Sequence, residues 1–255
     1  MYFRCMDFKI TTALFNSFFK TIGYLSLFFV TGLFLDSKYM VKVFPESQHL
    51  STLVMLIAFG IIYYKVMPRL KKQMIYAVII GVIGEYLLSR GLGMYTYRLE
   101  NVPHYVPPGH AIVLVTAIYF CKDSIVKNYR KKWELFFTIF IVIYSLIFLI
   151  IANDVFGFIM SMLVIYFLRN KPRERLFYLT MYFIVAILEI IGTSYGCWYW
   201  PETAFGTFDF LKSANPPSGI SLFYFLLDLG SLWVYKKRHQ IAWARMKNIR
   251  RIQEN

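Results

Sequence analysis

A chain of 255 residues with 58% hydrophobic and only 16% charged residues is too apolar for a water-soluble domain, which averages about 45–50% apolar. Mean hydropathy, at +0.52, points the same way. The net charge of +14 admits nucleic acid or anionic lipid as a partner, but the basic residues stand at the ends of apolar runs, where they set membrane topology, so nucleic acid is not expected.

The first apolar run covers residues 10–35, after Arg4 and Lys9. It is too long for the apolar core of a signal peptide and no small-residue cleavage site follows, so a retained helix is expected. Further spans are expected at 51–67, 74–95, 109–121, 133–152, 155–168, 176–196 and 219–235. Several approach the ~20 residues that cross a bilayer core. The fourth, sixth and eighth carry about 13–17 apolar residues, or ~20–25 Å of helix. They either begin inside the membrane or continue through less apolar flanks. The expected fold is all-α, a transmembrane bundle of about eight helices.

Lysine and arginine give the direction. With the N-terminus in the cytoplasm and eight crossings, the inner segments are 4–9, 65–72, 122–132, 169–175 and 236–251. All but five of the 28 basic residues then fall inside, Lys20 included, the five being Lys38, Lys42, Arg90, Arg98 and Lys212. Seven spans would put the basic head or the basic tail on the wrong side. The expected location is therefore the cell's inner membrane, with both termini cytoplasmic. Cys5 and Cys121 fall at the inner side and Cys197 outside, so no internal disulfide is expected. After Tyr235 the chain carries Ile241, Trp243, Met246, Ile249 and Ile252 among basic residues. It reads as a helix lying on the inner surface, drawn to anionic lipid headgroups, or as a solvated basic tail.

The chain repeats itself at a period near 105 residues. GEYLLSRGLGMYTY from Gly84 and YVPPGHAIVLV from Tyr105 are matched by LEIIGTSYGCWYW from Leu188 and ANPPSGISLFYF from Ala214. Each copy has a glutamate late in a helix (Glu85, Glu189) and a hydroxyl residue four places on (Ser89, Thr193). A glycine, an aromatic cluster, a Pro-Pro-(x)-Gly element and another helix follow. Residues 1–128 and 129–235 are thus expected to be two parallel repeats, followed by the tail 236–255.

Under this topology both glutamates lie in the outer half of the membrane. A carboxylate there is expected to face the bundle interior, a partner or a water-filled cavity. Each i,i+4 hydroxyl shares its glutamate's helix face and is expected to hydrogen-bond it or line the same cavity. Pro107-Pro108 and Pro216-Pro217 suit the first turn of a helix. The N-terminal end of such a helix favours an anionic group, with His110, Asn215 and Ser218 adding donors. Asp228 is a third buried acid without a counterpart in the first copy, and Arg90 has none in the second. Tyr95, Tyr97, Trp198, Tyr199 and Trp200 form either an interfacial belt or the entrance for an apolar substrate. The glutamates and Asp228 have a purely structural reading too, as hydrogen-bonding ties between helices.

Glu189, Gly192, Thr193, Gly196, Trp198 and Trp200, and in the first copy Glu85, Ser89, Gly93, Tyr95 and Tyr97, resemble the motif of membrane carotenoid hydratases and cyclases. The likeness covers about a tenth of the chain. It implies acid-catalysed chemistry on an isoprenoid double bond. The Pro-Pro-Gly-His and Asn-Pro-Pro-Ser-Gly elements lie outside that motif and are similar to those of functionally unassigned bacterial multi-pass membrane proteins.

No nucleophile elbow, zinc-protease helix, phosphate loop or histidine-box series is present, and neither a metal nor a cofactor is expected. The functional expectation is an outward-facing polar pocket inside the membrane. Glu85 and Glu189 would be its acid/base pair, with Asp228 as a supporting acid. His110, Asn215, Ser89, Thr193, Arg90, Tyr97, Trp198 and Trp200 would contact a lipid or isoprenoid substrate. A small-molecule or lipid transporter and a membrane assembly factor are the alternatives. The repeat is expected to place residues 107–110 and 215–219 facing each other across one outward-open cavity, with Glu85 and Glu189 within side-chain reach.

Overall fold

The computed structural model describes residues 11–254, which leaves Cys5 and the basic segment 4–9 outside it. The described residues form ten helices: α1 (Thr11–Phe34), α2 (Ser47–Lys65), α3 (Pro68–Gly91), α4 (Val106–Lys122), the short α5 (Ser124–Asn128), α6 (Arg130–Ala152), α7 (Val155–Leu168), α8 (Pro172–Tyr195), α9 (Ser221–Arg238) and α10 (Gln240–Glu254). A helix covers each of the eight expected apolar segments. Five of them, α1, α2, α3, α6 and α8, are long and apolar enough to cross a membrane.

The local chemistry accounts for the boundaries. Pro68 and Pro172 open α3 and α8 at the position where a missing N–H costs nothing. Asn153, in the left-handed region at φ 52, ends α6, and the side chain of Asp154 caps α7 through the Gly157 amide. Gly196, at φ 69, ends α8. A π-turn interrupts α1 at Phe19–Gly23, and a π stretch, Tyr86–Gly91, ends α3 directly after Glu85, at the kind of place where such turns accompany function.

Helix α8 is the hub. Of its most apolar stretch 67% is buried, against 22–33% for α1, α2, α3 and α6. It packs against α1, α4, α6, α7 and α9. Helices α3, α4, α8 and α9 close a ring in which each touches the next. The outer helices leave apolar stripes uncovered, as Ile139, Ile143, Ile147 and Ile150 do on α6. In water such a surface would be a liability, whereas hydrocarbon accommodates it.

At one end of the bundle the two motif-bearing loops meet. Strand β1 (Thr96–Tyr97) pairs antiparallel with β2 (Trp198–Tyr199), Thr96 opposite Tyr199 and Tyr97 opposite Trp198. Thr96 and Tyr199 occupy the same place between the paired aromatics of their motifs, so equivalent positions oppose one another. A second hairpin, β3 (Thr203–Ala204) with β4 (Phe208–Lys212), follows.

The second Pro-Pro element departs from expectation. Pro107 and Pro108 do stand in the first turn of α4. Pro216 and Pro217 lie in an irregular turn ahead of α9, which starts only at Ser221; the Asn215–Pro216 peptide there is cis. The reason is Asp154, buried at the start of α7, whose carboxylate accepts from the Ala214 amide at 3.0 Å and the Ser218 amide at 2.7 Å. The amides that a helix start would have presented to an anion are bound by the chain's own carboxylate.

Candidate functional site

Glu85 and Glu189 are buried, with 3% and 2% of their surface exposed. Both line one cavity with a volume of about 70 Å³, bounded by α1, α2, α3, α4, α8, α9 and the two motif loops. That volume holds several water molecules, each needing about 10–15 Å³ of such space. Burying a carboxylate without partners is costly. Each glutamate here has three.

The Glu85 Oε2 atom accepts from the hydroxyls of Tyr95 at 2.5 Å and Tyr97 at 2.6 Å, and its Oε1 lies 2.8 Å from His110 Nε2. Glu189 Oε2 accepts from the indole N–H groups of Trp198 at 2.8 Å and Trp200 at 3.0 Å, and its Oε1 from the Tyr224 hydroxyl at 3.0 Å. The two sets follow one plan: two aromatic donors from the loop after the glutamate's helix, and one from the helix after that. The His110 and Tyr224 rings lie 5.0 Å apart, so the third donors adjoin each other and link the two carboxylates. Tyr95 and Trp200 adjoin at 4.6 Å on another side.

The donors differ in what they allow. An indole N–H only donates, so Glu189 Oε2, which faces two of them, stays unprotonated. A proton on Glu189 belongs on Oε1, where the Tyr224 hydroxyl can turn from donor to acceptor. The tyrosines around Glu85 can turn in the same way. Burial first, then the Glu85 charge, raise the Tyr97 hydroxyl well above the usual tyrosine range, so it keeps its proton.

Local sequence explains the placement. Gly192, one turn below Glu189 on α8, leaves room for the Trp198 ring, which occupies the space a Cβ would need. Gly81 on α3 likewise faces His110, whose Cδ2 would lie 3.4 Å from a Cβ there. Glycine thus brings the Trp198 and His110 rings close to a helix backbone.

Of the residues expected at the site, Glu85, Glu189, His110, Tyr97, Trp198 and Trp200 line the cavity. The others stand elsewhere. The Ser89 hydroxyl donates to the Tyr95 carbonyl and Thr193 to the Glu189 carbonyl, so both hydroxyls serve the backbone rather than the carboxylates. Asn215 Oδ1 accepts from the Trp200 amide at 3.0 Å, which holds the aromatic loop from behind. Arg90 is exposed and donates to the Glu100 carbonyl. Asp228 lies one turn beyond Tyr224 on α9, outside the cavity wall, and its buried Oδ2 has no hydrogen-bond partner among the described residues. Of the two Pro-Pro elements only the first borders the cavity, through Val106, Gly109 and His110; the second contributes Ile220 just after it.

Three important residues were not expected. Tyr224 was hidden in an apolar run. Asp154 and Asp36 sit in short connections where acids are ordinarily solvated. Asp36, fully buried at the end of α1, forms an ion pair with Arg98 and accepts from Tyr105 at 2.7 Å and Gln48 at 3.3 Å. It ties α1, α2 and the first motif loop over the cavity.

No protein-family model matches this sequence, and comparison with curated proteins and with solved structures finds nothing similar.

Proposed function

We propose that the chain is a multi-pass membrane enzyme that moves a proton to or from a carbon of an apolar lipid or isoprenoid chain, with Glu85 and Glu189 as its acid/base pair. The observation that carries this reading is the meeting of two buried, three-donor carboxylates in one otherwise apolar cavity. Such a cavity accepts a hydrocarbon and excludes bulk water, which strengthens every charge inside it. One carboxyl group gives a proton from the oxygen beside Tyr224 or His110, and the other takes one back. The likeness to carotenoid hydratases and cyclases in the Glu-Gly-Thr-Gly-aromatic motif agrees with this chemistry.

The membrane arrangement belongs to the same proposal: eight crossings in two parallel repeats, the cavity toward the outer side and both termini inside. It is supported by the paired motif loops at one end. It is supported also by the basic segments at the other end, where Tyr76 meets His239 at 3.0 Å and Arg130 donates to the Pro172 carbonyl. Helix α10 then lies on the inner surface, with Lys236 and Arg69 against the Trp243 ring, among anionic headgroups.

Cation- or proton-coupled transport is the second reading, favoured by Asp228 in α9, whose buried Oδ2 has no hydrogen-bond partner among the described residues. Conversion of membrane lipid by the wild type, lost in Glu85→Gln and Glu189→Gln but kept in Asp228→Asn, supports the enzyme. Full activity in both glutamine variants refutes it.

A further inference from the structure

We infer that the cavity receives the head of an amphiphile whose positive centre carries no hydrogen-bond donor: a quaternary ammonium on an apolar chain. This rests on the reading that the cavity is where the substrate binds, and it names the substrate class.

Charge is the first ground. Tyr95, Tyr97, Trp198, Trp200 and Tyr224 serve the two glutamates with neutral donors, so whichever of the pair is ionised keeps its negative charge unneutralised by them. Among the described residues no lysine or arginine lines the cavity, and His110 is the sole wall group able to become cationic. Arg98, on the loop above, is paired with Asp36. In a chain of net charge +14 the wall of this cavity holds two acids and no permanent cation. A negative chamber of low dielectric calls for a cation.

Hydrogen-bonding capacity is the second ground. A carboxylate offers about four lone-pair sites, and three are filled on each glutamate. An ammonium with N–H groups would find few acceptors here, whereas a quaternary ammonium needs none. The rings supply the rest, because aromatic walls attract cations of this kind through their faces. Tyr95 with Trp200, their ring centres 4.6 Å apart, and Tyr224 supply such rings in the cavity wall. The remaining wall, with Phe28, Leu33, Val54 and Met55, suits an alkyl chain. A phosphate head is disfavoured, since the cavity wall holds two acids and, among the described residues, no lysine or arginine.

The test uses the purified full-length protein in maltoside micelles with three probes of equal chain length: dodecyltrimethylammonium, dodecanol and dodecyl phosphate. Binding is read from tryptophan emission, with the Trp198→Phe variant as the reference for signal from the site. The expected result is that the ammonium binds at least about tenfold more tightly than the alcohol, and the phosphate more weakly than either. Equal binding of ammonium and alcohol overturns the proposal and leaves the cavity an apolar substrate site. Tightest binding of the phosphate overturns it also. No binding by any of the three overturns both this proposal and the substrate-site reading.

Discussion

Substituting Gly192 by alanine tests the site through a single methyl group. A Cβ at residue 192 would overlap Cη2 and Cζ2 of the Trp198 ring and lie 2.7 Å from its Cε2. The obstacle is a rigid indole with 6% of its surface exposed, not the end of a flexible chain. Carbons in contact prefer roughly 3.5–4.0 Å, so the ring must retreat by more than about 1 Å. The Trp198–Glu189 bond, now 2.8 Å, then passes beyond hydrogen-bonding range. A hydrogen bond to a charged group contributes about 1.5–3 kcal/mol, and overpacking costs about 1–3 kcal/mol more. The expected destabilisation is therefore several kcal/mol, read as a lower thermal midpoint in detergent together with an altered near-ultraviolet tryptophan dichroism. The control is Gly60→Ala in α2, where a Cβ meets nothing. That change should be neutral or slightly stabilising, since alanine is the better helix former by about 1 kcal/mol. If Gly192→Ala leaves both the midpoint and the dichroism as they are in Gly60→Ala, the packing of Trp198 on α8 is wrong, and the indole donors of Glu189 with it.

Replacing Asp36 by asparagine removes the charge partner of the part-buried Arg98 guanidinium and should cost up to about 3–5 kcal/mol, while the apolar double variant Asp36→Leu/Arg98→Met should recover most of it in the same unfolding assay. Asp154→Ala deprives the Gly157, Ala214 and Ser218 amides of their acceptor. At about 1–3 kcal/mol for each stranded group the loss should exceed roughly 3 kcal/mol, and limited proteolysis should cut the chain between β4 and α9. Burial and the Glu85 charge raise the Tyr97 hydroxyl, so its contribution to stability is complete below the ordinary tyrosine value of about 10 and is lost only as pH rises through the folded value. Ultraviolet titration of Tyr97→Phe should therefore match the wild type up to about pH 11, whereas loss of a tyrosinate titrating near pH 10 would contradict the burial.

Much of the fold is legible because hydrocarbon imposes a simple code. A run of apolar residues between basic clusters becomes a helix, and the eight expected segments each hold one. Glu85, Glu189 and His110 are legible for the same reason, as polar groups in apolar runs beside proline and glycine breaks. The aromatics Tyr97, Trp198 and Trp200 are placed by their repeated spacing, although the belt reading and the donor reading are identical until the carboxylate distances are known. Ser89 and Thr193 mislead because a helical hydroxyl reaches a nearby backbone carbonyl more easily than its i−4 neighbour's carboxylate. Asn215 misleads because the turn it begins is anchored from outside the repeated motif, by Asp154 at the start of α7. Asp36 is legible only through its tertiary partners, since a lone acid at the end of a span looks like a solvated loop residue. Tyr224 is invisible for the opposite reason: a tyrosine in an apolar helix counts as apolar until its hydroxyl finds Glu189.

Solvent deuterium provides the most direct check on the proposed chemistry. Membranes containing the wild-type chain, or the Glu85→Gln or Glu189→Gln variant, are incubated in deuterated buffer, and their lipids are examined by mass spectrometry. Proton transfer between a glutamate and a carbon of the substrate predicts a lipid species that gains deuterium with the wild type and gains none with either variant. The same labelling in both variants, or no labelled lipid with the wild type, would contradict the account.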